Sequence, residues 1–108
     1  MEAINYIFCS DDYLLELNQT HLNHNTLTDI ITFELSGMDE PLLADIYISI
    51  ERVRENASSF SATFKSELLR VIFHGALHLL GYKDKSARDA RVMRSMEDAW
   101  LAEFLNSY

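Results

Sequence analysis

The segment HGALHLLGYKD, residues 74–84, decides the fold and carries the strongest chemical signal of the chain. In a helix, His74 and His78 project from the same face, one turn apart. Gly81 ends that helix, because glycine adopts the left-handed conformation of a helix cap without strain. The chain can then turn back and bring the carboxylate of Asp84 toward the two imidazoles. Two imidazoles, one carboxylate and an open coordination position are typical of a catalytic site for a divalent metal, with zinc as the first choice.

Outward from this segment, apolar residues at helical spacing predict two long helices. The helix that carries the histidines is predicted over residues 62–80, and its inward positions are Phe64, Leu68, Val71, Ile72 and Leu79. A final helix is predicted to begin at Ser86, which forms a capping-box pair with Asp89. Its inward stripe is Met93, Met96, Trp100 and Phe104.

The rest of the chain is predicted to contain three strands and two further helices. In chain order these are a strand at 3–8, a helix beginning at 10–12, a loop over 18–26, strands at 28–35 and 43–50 joined as a hairpin, and a short helix that Ser49 caps and that runs to about residue 56. Helices and strands do not alternate strictly, so the predicted fold class is α+β, in one domain that spans residues 1–108.

Three ordered motifs resemble the YbeY family of bacterial endoribonucleases. Residues 74–82 match the family signature His-Gly-x-Leu-His-Leu-x-Gly-Tyr, residues 28–33 (TDIITF) are similar to its Thr-Asp-Val-Leu-Ser-Phe strand, and residues 44–49 (ADIYIS) are similar to its Gly-Asp-Ile-x-Ile-Ser strand. The chain departs from the family pattern at Asp84, where the third ligand is usually histidine, at Lys83, where aspartate is usual, and at Leu22, where the family has a functional arginine.

The resemblance implies a small mixed sheet packed against helices, with the metal site at the end of a central helix. The family's first strand and helix are expected to be absent from this chain. The implied activity is metal-dependent, single-strand-specific endoribonuclease cleavage in ribosomal RNA maturation and ribosome quality control. The implied partners are single-stranded RNA, ribosomal RNA and the small ribosomal subunit.

Several residues are candidates for roles around the ion that His74, His78 and Asp84 would hold. Arg70 lies one turn before His74, and its guanidinium could pair with a phosphate in the transition state; the alternative is a surface ion pair with Glu67. Asp45, in one of the matched strands, is a candidate catalytic acid, and Asp29, in the other, could face the substrate. Lys83 and Lys85 flank Asp84 and are candidates for binding RNA.

Composition and charge bound the possible functions. The chain has 48% hydrophobic and 24% charged residues, which is ordinary for a globular domain. It has neither a membrane-length apolar run nor a signal segment, and one cysteine cannot form an internal disulfide, so a cytoplasmic location is expected. The net charge of −8 opposes binding to RNA, but residues 65–94 carry +4 and the remainder −12. The basic segment is the one that contains the predicted metal site.

Two alternatives to the nuclease hypothesis remain open. A peptidase or other hydrolase could use the same metal, but Gly75 stands where peptidases of the His-Glu-x-x-His type have their general base. A non-catalytic, ribosome-associated factor with a structural metal is the second alternative, and Leu22 at the usual arginine position favours it. Neither the oligomeric state nor the native metal follows from the sequence.

Overall fold

A computed structural model describes residues 3–22, 28–37 and 39–107, with side chains for 3–21, 28–37 and 39–105. These residues form three strands and four helices, and their α+β arrangement confirms the predicted fold class. The elements in chain order are β1 (Ala3–Cys9), α1 (Asp11–Leu22), β2 (Ile30–Glu34), β3 (Leu43–Ser49), α2 (Ile50–Ser59), α3 (Phe64–Leu79) and α4 (Ala87–Ser107).

The sheet is mixed, with strand order β1-β3-β2. β3 and β2 pair antiparallel, with Ile30 opposite Ile48 and Glu34 opposite Ala44, which confirms the predicted hairpin. β1 pairs parallel with β3, so that the chain between them has to cross back over the sheet. β3 is therefore the central strand and is hydrogen-bonded on both sides.

One face of β3 supports the helix that carries the histidines. Side chains alternate along a strand, and Ala44, Ile46 and Ile48 are fully buried on this face. α3 approaches closely because Gly75 has no side chain: a Cβ there would lie 2.9 Å from Ile30 Cδ1 and 3.1 Å from Ile46 Cδ1. The core cluster consists of Ile46, Ile48, Val53 and Val71, against which the remaining predicted inward residues of α3 pack, namely Phe64, Leu68, Ile72 and Leu79.

Serine hydroxyl groups cap the N-termini of α2 and α4, as the sequence predicts. Ser49 Oγ accepts a hydrogen bond from the backbone N–H of Arg52 at 3.2 Å, and Ser86 Oγ accepts one from Asp89 at 3.0 Å. Gly81 has φ +101° and donates its backbone N–H to the carbonyl of His78 at 3.0 Å, which closes the end of α3. The predicted caps and the predicted glycine stop are confirmed.

The predicted loop over residues 18–26 is wrong at its beginning, because α1 continues to Leu22. Asn18 lies one turn after Leu14 on the buried side of this helix, and both side chains are almost fully buried. Packing of this face outweighs the weak helix preference of the polar residues. Residues 23–26 of the predicted loop lie outside the described residues. α2 also runs three residues past its predicted end, since Ala57 is buried and extends the inward face.

Candidate metal centre

The last two turns of α3 present the imidazoles of His74 and His78 side by side. Their ring centroids lie 4.7 Å apart, and the ring planes are nearly perpendicular, at 82°. Gly81 then turns the chain, and the segment before α4 returns past the end of α3. The helix thus supplies two nitrogen ligands at a fixed separation, as the spacing of the histidines predicts.

Asp84 completes a cluster of three ligand groups. Its Oδ2 lies 3.2 Å from His74 Nε2 and 3.5 Å from His78 Nε2, and the three ligand atoms all lie within 4.8 Å of one another. All three side chains are partly exposed, so an ion and its water ligands could reach them. Two imidazole nitrogens and a carboxylate oxygen, open on one side, fit a catalytic divalent ion such as zinc.

Glu97, on α4, is a residue at this site that the sequence analysis missed. Its Oε2 lies 2.6 Å from His74 Nδ1, and the carboxylate is buried, with 4% of the residue exposed. An ionised carboxylate only accepts hydrogen bonds, so this contact assigns the ring hydrogen to Nδ1 and leaves the Nε2 lone pair facing Asp84. Glu97 therefore orients His74 for binding a metal.

Arg70 binds the second carboxylate oxygen of Glu97. Arg70 Nη1 donates to Glu97 Oε1 at 3.0 Å, and Nη2 donates to Asp98 Oδ1 at 2.6 Å. Arg70 thus pairs with α4 and not with Glu67, which was the alternative to its catalytic role. These contacts place Arg70 where it can hold Glu97 against His74, and a direct contact of Arg70 with phosphate stays a prediction.

These contacts shift the pKa values of both partners. The hydrogen bond to Glu97 raises the pKa of His74 against the opposing effect of burial. Burial acts to raise the pKa of Glu97, but hydrogen bonds from His74 and Arg70 together bring it below its ordinary value. Glu97 therefore stays ionised at neutral pH, as a hydrogen-bond acceptor for both neighbours requires.

Two clefts meet at the candidate metal ligands and share Asp29, Ile30, His74 and Asp84. The proximal cleft has a volume of about 590 Å³ and also contains His78 and Lys85. The distal cleft, about 400 Å³, runs between α2, α3 and α4 and also contains Asn56, Phe60, Glu67 and Arg94. Burial raises the pKa of the Asp29 carboxyl at their junction, and the nearby His74 partly offsets this effect.

The other residues that were predicted for the site do not all lie near the three candidate ligands. Lys85 lines the proximal cleft, and Lys83 is exposed on the same turn. Asp45 is not part of the cluster: it points to the sheet face opposite the buried Ala44 and Ile46, where its Oδ1 accepts a hydrogen bond from Asn5 Nδ2 at 3.1 Å. The alternation of side chains along β3 turns Asp45 away from α3, so a catalytic role for it is not supported. The side chain of Leu22 lies outside the described residues.

Comparison with known proteins accounts for this combination of fold and ligands. The family model described as "Endoribonuclease YbeY" matches residues 2–105. The chain belongs to the YbeY family. It is 61% identical over 101 residues to the Endoribonuclease YbeY of Flavobacterium psychrophilum, covering 94% of this chain and 71% of that protein. It is 54% identical to the protein of the same name from Flavobacterium johnsoniae, with coverage of 94% and 72%.

A solved structure from Thermotoga maritima has a similar fold. The solution structure of its protein TM1509 superposes with a TM-score of 0.70 at 33% sequence identity, covering 99% of this chain and 71% of the other. The described part of the chain contains no helix that is both long and apolar enough to cross a membrane.

Proposed function

We propose that this YbeY-family protein is a metal-dependent endoribonuclease that cleaves single-stranded RNA in ribosomal RNA maturation and ribosome quality control. The observation that carries the proposal is the cluster of His74, His78 and Asp84, which is open to solvent where two clefts meet. The relatives, which are endoribonucleases by name, supply the reaction class. The cluster supplies a place for the ion that such a reaction would use.

The donor set indicates what a bound ion would contribute. His74, His78 and Asp84 would hold a divalent ion such as zinc, which would supply polarisation of a phosphate oxygen and acidification of bound water. The protein's own share is to fix the ligands, and Glu97 does this for His74. Asp29 lies at the junction of the clefts with an elevated pKa, and we assign it as the candidate acceptor of a proton from the attacking group.

RNA would enter along the proximal cleft, where charge favours it locally. Lys85 lines this cleft and Lys83 lies two residues away, so both can neutralise phosphates although the whole chain carries −8. We assign these two lysines to substrate binding. Ribosomal RNA and the small ribosomal subunit are the proposed partners, and the cytoplasm is the proposed location.

Position 75 argues against peptidase chemistry of the His-Glu-x-x-His type. Gly75 packs against Ile30 and Ile46, and a Cβ there would lie 2.9 Å from Ile30 Cδ1, so this position has no room for a larger side chain. The helix could not present a general base there, even with glutamate in place of glycine.

The ion pairs of Arg70 with Glu97 and Asp98 favour the second alternative, a non-catalytic, ribosome-associated factor whose metal is structural.

Elemental analysis combined with a nuclease assay separates these functions. We expect about one divalent ion per purified chain and cleavage of a labelled single-stranded RNA but not of its duplex. His74→Ala should lose both metal and cleavage, whereas His21→Ala, a histidine on α1 whose ring lies against Phe33, should retain both. Metal-loaded protein that never cleaves RNA would replace the nuclease assignment with the non-catalytic one.

A further inference from the structure

The distal cleft continues from the metal ligands to a corner between α2 and α3 that the proposed chemistry does not use. His74 and Asp84 line its inner end, and Asn56, Phe60 and Glu67 line its outer part. At about 400 Å³, it lies within the size range of sites for small organic groups. Anything bound there lies next to the reacting phosphate.

Phe60 offers an aromatic surface to this cleft. It caps the C-terminus of α2, donates its backbone N–H to the carbonyl of Asn56 at 2.9 Å and leaves 62% of its surface exposed. The following residue, Ser61, has φ +54°, a conformation that non-glycine residues rarely adopt. A ring held at a tight corner and open to solvent is the kind of surface on which proteins stack the bases of single-stranded RNA.

Glu67 brings a carboxylate into the cleft. It is 6% exposed, and within the described part of the chain its carboxylate makes neither a hydrogen bond nor an ion pair. Burial raises its pKa and the negative charge of Asp29 adds to this effect, while the positive charges of Arg70 and Arg94 partly offset it. Glu67 lies two turns before His74, on the same side of α3. The carboxylate lines the cleft, so a ligand bound there can donate hydrogen bonds to it.

The donors required by Glu67 identify one base among the four of RNA. An ionised carboxylate accepts two parallel hydrogen bonds, and guanine presents N1–H and the N2 amino group side by side on its Watson–Crick edge. Adenine and cytosine each offer one amino group on that edge, beside a ring acceptor, and uracil offers one N–H between two carbonyls. Arg94 also lines the cleft and adds positive charge where the RNA backbone would pass.

We propose that the distal cleft binds a guanine of the RNA substrate, stacked on Phe60 and hydrogen-bonded to Glu67, next to the phosphate that is cleaved. This inference rests on the proposed function, since it takes RNA as the ligand. It makes Glu67 a specificity-determining residue that contacts substrate and not the metal.

Binding of free mononucleotides tests the pocket separately from cleavage. In NMR titrations of the full chain, GMP should bind about tenfold more tightly than AMP, CMP or UMP, as expected for a bidentate contact to a base edge. Glu67→Gln should remove this preference, because the amide replaces one acceptor with a donor. Phe60→Ala should weaken binding of all four nucleotides by about tenfold, as loss of base stacking does.

Matched variants outside the cleft control for general effects. Glu55→Gln changes an exposed glutamate of α2, and Phe8→Ala changes a half-exposed phenylalanine of β1. Both should leave the binding of GMP unchanged. Equal affinity for the four nucleotides, or a preference for GMP that survives in Glu67→Gln, would overturn the assignment.

Cleavage mapping distinguishes failure of this inference from failure of the proposed function. Cleavage of single-stranded RNA without any preference for guanine near the cut would overturn the pocket and leave the nuclease function standing. Selective binding of GMP by protein that does not cleave RNA would support the pocket and remove the nuclease function. Cleavage next to guanine, lost in Glu67→Gln with metal content unchanged, would support both.

Discussion

Of the three candidate metal ligands, Asp84 has the least rigid support. It lies on the loop between α3 and α4, and its described contacts are those to His74 and His78. Asp84→Ala removes one of three ligands, so we expect metal affinity to fall by more than the roughly 10–100-fold typical of changes behind the ligands. Asp84→His should retain binding, because imidazole is an equally good zinc ligand. Competition with a chromophoric chelator measures both affinities, and tight binding by Asp84→Ala would remove Asp84 from the ligand set.

Glu97 should set metal affinity without touching the ion. In Glu97→Gln the group facing His74 Nδ1 is neutral, so the imidazole loses both its orientation and its negative partner. We expect metal affinity to fall by roughly 10–100-fold. The ring nitrogen shifts of His74 should show that Nδ1 is no longer the dominant protonated site. Asp98→Asn is the control, because Asp98 is exposed and contacts Arg70 without touching His74. Equal losses in the two variants would contradict a specific role for Glu97.

Sequence reasoning predicted that His74, His78 and Asp84 lie together because their relation is local. His74 and His78 follow from helical spacing, and Gly81 explains how Asp84 returns. Glu97 was missed because it belongs to another helix, although a signal was present: it lies four residues after Met93, inside the buried stripe of α4. A charged residue at a position that the helix buries indicates a polar partner. The ion pairs of Arg70 with Glu97 and Asp98 were missed because the packing of α3 against α4 is not visible from spacing on α3.

At the scale of elements, the fit of α3 to the sheet depends on Gly75. Replacing a helical glycine by alanine normally stabilises a helix by about 1 kcal/mol. Here the new methyl group would lie 3.1 and 3.3 Å from side-chain atoms of Ile46, which is fully buried and has little room to move. Overpacking of this kind costs about 1–3 kcal/mol, so we expect Gly75→Ala to be destabilised overall. Urea denaturation measures the change, and a midpoint above that of the parent would mean that α3 can tilt away.

Asp11 connects the beginning of α1 to the beginning of α2. Its carboxylate accepts hydrogen bonds from Ser49 Oγ at 2.7 Å and from Arg52 Nη2 at 2.9 Å. Burial acts to raise the pKa of Asp11, but these bonds lower it below the ordinary value. A carboxyl with a depressed folded-state pKa stabilises the fold above its unfolded pKa and loses this contribution as the pH falls through the folded value.

Acid unfolding of an Asp11→Asn variant tests this connection. The variant should be less stable than the parent at pH 7, and the difference should shrink as the pH falls below about 4, the ordinary value for aspartate. Thermal melts at a series of pH values measure it, with Asp12→Asn, an exposed neighbour, as the control. A difference that stays constant down to pH 2 would show that the charge of Asp11 is not the cause.

The secondary-structure features that could be predicted are those that depend on residues close together in the sequence. The hairpin of β2 and β3 follows from two apolar strands joined by a turn, and the caps at Ser49 and Ser86 follow from residue type. The parallel pairing of β1 with β3 joins residues forty positions apart, such as Ala3 and Leu43, and no local pattern specifies it. The extension of α1 to Leu22 was missed for the same reason, since burial of Asn18 depends on tertiary packing.

At the scale of the whole molecule, a bound ion would connect α3 to the loop before α4 and stabilise the folded state. A ligand present at about 100 times its dissociation constant adds about 2.7 kcal/mol of stability. For a domain of this size, such an amount corresponds to a Tm change on the order of 10 °C. We therefore expect a chelator to lower the Tm of metal-loaded protein by about this amount. The double variant His74→Ala, His78→Ala should not respond, and an unchanged Tm in protein shown to lose its metal would separate the site from stability.

The residues of the candidate metal site lie in one part of the chain, and this affects which insertions and deletions the protein can tolerate. His74, His78, Asp84 and Glu97 fall within one continuous segment, so a deletion elsewhere in the gene can spare all of them. Within that segment, the position of each group relative to the others depends on the number of residues between them. One residue inserted between Ser86 and Glu97 would rotate Glu97 by about 100° around α4, out of the buried stripe and away from His74. Insertions and deletions here should therefore be tolerated less than most substitutions of the intervening residues.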